Sequence, residues 1–425
     1  MKVKKYASML MLFVAIINLS VLSAQTLPET SPEAVGISSN RLTYLTKTFN
    51  DFVKDDALPG SVLLVARHGK IAYYKAFGKK DIEKNVPMKK TDMFRIASQT
   101  KAIVSVGIMM LQEQGKLSIT DEVGKYIPEF KKTTVAVAKE DGSYNVVAAK
   151  RAITLRDLLT HTSGIGYGNG IAADKWKEAG IQGWYFADRK EPILETVKKM
   201  GNLPFDAQPG EQFVYGYSID ILGAIIEVVS GETLNDFLHT NILGPLKMND
   251  TYFYLPKDKK DRLAVVYSPS GNGLEKAPNP GGMVGQGAYV DGPRTSYSGG
   301  AGLVSTASDY ARFLQMMLNK GTLNGARILS RKSVELMTVN HLRNVKFPWA
   351  DGTGFGLGFT VVEDLGARGT MGSVGEYGWG GAYHSTYWVD PKEDMVVVYL
   401  TQVIPTKTME DHEKLHSLIY QALEE

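Results

Sequence analysis

A chain of 425 residues with 44% apolar and 22% charged side chains can bury a sizeable core and is neither fibrous nor low-complexity. Its formal charge of +3 is supplied by Lys2, Lys4 and Lys5; beyond residue 24 basic and acidic residues balance, which leaves no electrostatic case for a nucleic-acid partner. It has no cysteine, which excludes disulfides and a lipidated N-terminal cysteine.

In chain order, Met1-Lys2-Val3-Lys4-Lys5 is a basic start, Met9 to Leu22 an apolar run, and Leu22-Ser23-Ala24 a small-residue cleavage pattern. Together they predict a secretory signal peptide over 1–24, with Gln25 as the new N-terminus and a secreted or periplasmic protein that meets the membrane only through this segment. An uncleaved anchor is the alternative, because the run nearly spans a bilayer; Asn18 and the cleavage pattern favour removal.

Ser61 to Ala66 and Ile71 to Phe77 are β-type runs joined by Arg67-His68-Gly69-Lys70, which predicts a hairpin. A long apolar helix begins at Ser98 and closes at Gly115. A second hairpin is expected within Thr133 to Ala149, turning at Glu140-Asp141-Gly142-Ser143. Ile153 to Thr160 and Asp220 to Ser230 have helical spacing, the latter stopped by Gly231. From Ser268 to Gly300 glycine and proline are too dense for regular structure, so a long loop is expected. Ser308 to Leu318 is again helical. Ser385 to Val389 and Met395 to Thr401 are β-type, and a last helix runs from about Met409 to Leu423. The order predicts an α+β fold, a sheet built from both ends of the chain with a mainly helical part inserted. The expected divisions are 25–97 and 291–425 for the sheet domain and 98–290 for the helical one.

Chemistry enters at Ser98-Gln99-Thr100-Lys101, where the only serine followed three residues later by lysine opens a helix. A neutral serine attacks poorly without a base, and residues three apart share a helix face. Alone, such a pair usually means a cap beside a solvated lysine. Three further segments change that: Leu158-Leu159-Thr160-His161-Thr162-Ser163-Gly164, Pro209-Gly210-Glu211-Gln212-Phe213-Val214-Tyr215-Gly216-Tyr217-Ser218, and Gly378-Trp379-Gly380-Gly381-Ala382-Tyr383-His384. In this order and spacing they resemble the serine β-lactamase and penicillin-binding-protein superfamily, from about Thr43 to the C-terminus. Within it the chain is most similar to the class C β-lactamase-related carboxylesterases and acyltransferases.

That resemblance implies a β-lactamase/transpeptidase-like fold, an antiparallel sheet flanked by helices with the helical domain inserted. It also implies roles. Ser98 would be acylated, Lys101 and Tyr215 would act together as base, and the backbone N–H groups of Ser98 and Ala382 would bind the oxyanion. A phenol serves as base only where a neighbouring ammonium stabilises its anion. Gly380 and Gly381 would let substrate lie close against a strand edge.

Two departures from the superfamily pattern bear on substrate. Tyr215-Gly216-Tyr217 stands where a Tyr-x-Asn triplet is usual, and Trp379-Gly380-Gly381 where Lys-Thr-Gly is usual. Tyr217, Trp379, Gly380, Gly381 and His384 are therefore expected to line a substrate site that has lost its amide-holding asparagine and its carboxylate-binding cation. This favours neutral esters, although His384 or Arg294 could bring charge from elsewhere; for His384 a plain strand histidine is the equal alternative to a pocket-lining one. Amide substrates of β-lactamases, D-alanyl carboxypeptidases or D-aminopeptidases are the enzymic alternative, and a catalytically dead binding protein the non-enzymic one. His412-Glu413-Lys414-Leu415-His416 has zinc-helix spacing, but its sole downstream candidates for a third ligand, Glu424 and Glu425, lie at the fraying end, so it is read as a solvated helix face. His161 is read as a packing residue, and aromatic residues between Tyr167 and Tyr185, Trp176 and Trp184 among them, as a roof or as surface anchors. No Gly-x-Ser-x-Gly elbow, phosphate loop or dinucleotide fingerprint occurs, and no metal or cofactor is expected.

Overall fold

The computed structural model describes residues 27–271, 273–405 and 409–424; the expected signal segment lies outside them. β1 (Gly60–Arg67) and β2 (Lys70–Asp81) form the expected hairpin, and β3 (Val86–Pro87) follows at the edge. The turn residues His68 and Gly69 hold φ of 52° and 69°, the two-residue turn whose twist suits a hairpin. The other five strands come from the far end of the chain: β4 (Thr353–Phe355), β5 (Thr360–Val362), β6 (Tyr377–Gly381), β7 (Ser385–Asp390) and β8 (Met395–Thr401). β8 pairs with β1, so the two ends close one sheet of order β4-β5-β6-β7-β8-β1-β2-β3, antiparallel throughout.

The helices that frame the site are α1 (Leu42–Lys54), α2 (Thr100–Glu113), α3 (Leu155–Leu159), α4 (Ser218–Ser230), α5 (Ala307–Leu318) and α6 (Asp411–Tyr420). β1 and β8 read as unbroken apolar runs because both of their faces are covered. Leu63, Val65, Val397 and Tyr399 pack in one cluster with Leu45 and Phe49 of α1 and Leu415 and Ile419 of α6. Val62, Leu64, Val396, Val398 and Leu400 face the other way, into the large core that contains α2, α4 and α5. α2 is buried almost all round, as a central helix must be when apolar on every side. A Cβ at Gly107 would sit 3.0 Å from Ile226 Cδ1, so glycine sets how closely α2 and α4 approach.

Two expectations need correction. The 268–300 region is not wholly irregular: Tyr267–Ser270 pairs with Gly273–Lys276 in a small hairpin, and Gly282–Val284 makes one 3₁₀ turn. The hairpin is anchored by Tyr267, fully buried, whose hydroxyl donates to Glu83 at 2.6 Å and accepts the Ile82 N–H at 2.7 Å. Nor is the histidine face of α6 solvated. His412 stacks flat on His384, and His416 on Trp388, each with ring centroids 4.0 Å apart. His416 also bonds Glu376 at 3.2 Å, so the two rings of the zinc-helix spacing serve different neighbours. Their backs are turned to the sheet because α6 caps the apolar face that β7 and β8 leave open.

Enclosure, and then the charge of neighbouring His384, push the His412 imidazole down to about 4. Protonation therefore favours the unfolded chain, whose histidine titrates near ~6.5, and stability is lost as pH falls from there towards 4. The full effect is at most about 3 kcal/mol. We expect urea midpoints to fall across that window in the wild type and His412→Phe to lose this part of the pH dependence.

Candidate active site

Phe94–Arg95 pairs with Val304–Ser305, and the Ile96 N–H bonds Leu303 O at 3.0 Å, which fixes the chain just before Ser98. Ala97 then takes φ of 41°, a left-handed conformation that a Cβ disfavours. The strained residue turns the chain through a 3₁₀ turn, Ala97–Gln99, into α2. Ser98 and Lys101 emerge one turn apart, both buried, with Lys101 Nζ 3.1 Å from Ser98 Oγ.

Lys101 Nζ has two other polar contacts, Gly300 O at 2.7 Å and the Tyr167 hydroxyl at 3.1 Å. It also lies 4.6 Å from the ring centroid of Tyr215. Tyr215 thus offers Lys101 its ring, while its hydroxyl accepts the Trp379 indole N–H at 3.0 Å. The phenol oxygen in contact with the amine belongs instead to Tyr167. Burial, and then the neighbouring Tyr215, hold the Tyr167 proton far more tightly than in water, so Tyr167 stays a neutral phenol. Tyr167 sits in an irregular segment without motif spacing, and the sequence marked it only as part of an aromatic-rich stretch.

Ser98, Lys101, Tyr215 and Trp379 meet at one place. Gly381 brings β6 to them: a Cβ there would lie 2.5 Å from Ile96 O, so only glycine lets this strand end press against the chain entering Ser98. Ala382 follows and shares a small cluster with Ala97, Tyr383 and Trp184. Gly380 is less constrained, its Cβ position 3.2 Å from Ser385 O.

Two expected substrate contacts face elsewhere. Tyr217 is fully buried, stacked on Trp176 and edge-on to Tyr167, with its hydroxyl donating to Gly183 O at 2.8 Å. It pins the 167–183 segment, and Trp176 beneath it is core, not roof, its indole bonded to Pro204 O. His384 turns to α6, with Nε2 2.6 Å from Asp411 Oδ1; the other Asp411 oxygen accepts from Tyr399 at 2.7 Å. Burial pushes the Asp411 carboxyl up, but the hydrogen bond and charge of His384, with lesser help from His412 and Tyr399, hold it below its ordinary value. His161 is fully buried against Tyr215, ring centroids 4.6 Å apart, and burial together with the Lys101 charge keeps it neutral. Neither of its nitrogens has a partner among the described residues.

Trp349, absent from the sequence reading, is 58% exposed yet packs on Phe213, Tyr215 and Trp379 at 5.4–5.7 Å between centroids. With Phe347 and Phe355 it makes an aromatic wall beside the cluster of Ser98, Lys101 and Tyr215. Only its three-dimensional position betrays it, since it belongs to none of the motifs.

A serine bonded to a buried lysine, served by phenols and a close glycine strand, is the equipment of a serine hydrolase that works by acyl transfer. The chain belongs to the β-lactamase family, whose pattern covers residues 45–421, and it is a serine hydrolase of that family's esterase-like kind. It is 30% identical to esterase EstB of Burkholderia gladioli over 84% of this chain and 89% of that protein. A putative D-alanyl-D-alanine carboxypeptidase of Escherichia coli strain K12 is 28% identical over 93% of this chain and 90% of its own. Among solved structures, EstCE1, described as a hydrolase with promiscuous acyltransferase activity, superposes with a TM-score of 0.76 at 27% identity, covering 90% of this chain and 99% of that one.

Replacing Gly381 by alanine places a methyl group against Ile96 O and pushes the strand from Ser98. We expect kcat to fall about 10²- to 10³-fold, the size of effect that displacing one backbone donor from a reacting carbonyl would have, with unchanged circular dichroism.

Proposed function

We propose that the protein is a carboxylesterase or transesterase of neutral esters that is acylated on Ser98. The observation that carries this reading is the aromatic wall of Phe213, Phe347, Trp349, Phe355 and Trp379 beside the serine–lysine pair, with an indole where a β-lactamase would place a cation. Such a surface gains by burying apolar acyl or alcohol groups and offers a carboxylate no cation to pair with.

In acylation, Ser98 Oγ attacks the ester carbonyl while its proton passes to Lys101 Nζ, 3.1 Å away. Gly300 O and Tyr167 accept two of the resulting ammonium's hydrogens, and the Tyr215 ring face adds a cation–π contact. The N–H groups of Ser98 and Ala382 hold the oxyanion. As the tetrahedral adduct collapses, the departing alkoxide takes a proton from the Tyr215 hydroxyl, which Lys101 replenishes through Tyr167. Water or another alcohol then repeats the sequence on the acyl-Ser98 ester. Export through the segment 1–24 belongs to the same reading, and a mature N-terminus at Gln25 is its direct check.

The similarity to a putative carboxypeptidase favours a second reading, action on amides. Intact-mass spectrometry after incubation with short neutral esters, a D-alanyl-D-alanine peptide and a cephalosporin separates the two. We expect adducts from the esters, lost in Ser98→Ala; a peptide or cephalosporin that acylates at rates rivalling the esters would favour amides. A fluorophosphonate that fails to label the wild type would leave only a binding role.

A further inference from the structure

Behind Gly300, the residue whose carbonyl Lys101 bonds, a carboxylate is buried with no cation in hydrogen-bond contact among the described residues. Asp220, in the first turn of α4, is 1% exposed. Its Oδ1 accepts the Ser298 hydroxyl at 2.6 Å and the Gly300 N–H at 3.0 Å. Its Oδ2 is enclosed and has no hydrogen-bond partner among the described residues. A buried carboxylate half of which is unsatisfied is costly, and an aspartate that served only to hold the 298–300 segment would need one oxygen.

Gly300 ties this carboxylate to the catalytic amine. Its N–H points at Asp220 while its carbonyl receives the Lys101 hydrogen at 2.7 Å. A Cβ on residue 300 would fall 2.3 Å from Asp220 Oδ2, so the carboxylate comes this near only because residue 300 is glycine. Asp220 and Lys101 therefore sit on opposite sides of a single residue, in a region from which water is excluded and charges act strongly.

We propose, resting on the Ser98–Lys101 acylation described above, that Asp220 is a positioning residue of the catalytic amine: it fixes the Gly300 carbonyl that Lys101 bonds and supplies the negative charge opposite the ammonium formed when Ser98 gives up its proton. The other ionisable groups facing the pair are Tyr167, Tyr215, Tyr217 and His161, with Arg189 acting on Tyr217. Burial keeps Tyr167 and Tyr217 protonated and His161 neutral, which leaves Asp220 as the counter-charge from this side. Burial raises the proton affinity of Asp220 itself, and Lys101 is the largest influence opposing that rise, as expected of a pair whose charges support each other.

Asp220→Asn tests this, since its amide oxygen can still accept from Ser298 and Gly300 while the charge is gone. Without the carboxylate the ammonium is less stable and loses its proton at lower pH. We expect the acylation rate on a p-nitrophenyl ester to fall about 10- to 30-fold with little change in KM, and the acid limb of the kcat/KM profile to move down by about one pH unit. Ser298→Ala, which weakens the pin and keeps the charge, should leave the limb in place. Asp220→Ser, with no second buried polar atom, serves if the amide cannot be seated. An unmoved limb in the Asp220 variants, or activity losses in Asp220 and Ser298 variants that only follow their melting temperatures, would overturn the proposal. Full acylation in Lys101→Met would instead refute the underlying serine–lysine reading.

Discussion

A primary amine held out of water is the constraint on which the site depends. Lys101 is 2% exposed, and a buried ammonium is tolerated only where acceptors and negative charge surround it. Ser98 Oγ, Tyr167 and Gly300 O supply three acceptors, the Tyr215 ring a fourth contact, and Asp220 the charge behind. Each comes from a different part of the chain, so the amine ties together α2, the loop after α3, the residues leading into α4 and the segment before α5. A neutral amine satisfies the same neighbours by donating to Gly300 and Tyr167 and accepting from Ser98. The cluster therefore accommodates both protonation states without rearrangement, which a proton shuttle requires.

The sheet provides the second half of the site by bringing a strand edge to the serine. Closing β8 against β1 joins the two chain ends, and the hairpin of β6 and β7 then hangs from β8 with Gly381 pressed on Ile96 O. Behind this strand end the His384–Asp411–Tyr399 bonds fasten the turn to α6. The C-terminal helix, remote in sequence from the nucleophile, thus helps hold the backbone that would face an oxyanion.

Much of the fold was legible because burial on both faces writes itself as continuous apolar sequence. Val62 to Ala66 and Met395 to Leu400 are such runs, and both became central strands. The serine–lysine contact was legible for a local reason, one turn of helix. What escaped the sequence lies where geometry is not local. Tyr167 reaches Lys101 from an irregular segment 66 residues away, and Trp349 joins the aromatic wall from a turn without periodicity. The small hairpin beginning at Tyr267 was hidden by flanking glycine and proline, and the α6 histidines by a polar face that turned out to meet the sheet. Tyr217 occupies a motif position that predicts a pocket residue, yet its hydroxyl is spent on Gly183 O inside the core.

The account assigns the serine proton to Lys101 and leaves the Tyr215 hydroxyl, held by Trp379, for the leaving group. Single-turnover acylation by a p-nitrophenyl ester separates these tasks, because nitrophenolate departs without needing a proton. Tyr215→Phe should acylate at close to the wild-type rate and slow selectively on esters of ordinary alcohols, whereas Lys101→Met should be slow on both. Equal and severe loss in the two variants on the nitrophenyl ester would mean that the phenol, not the amine, takes the proton.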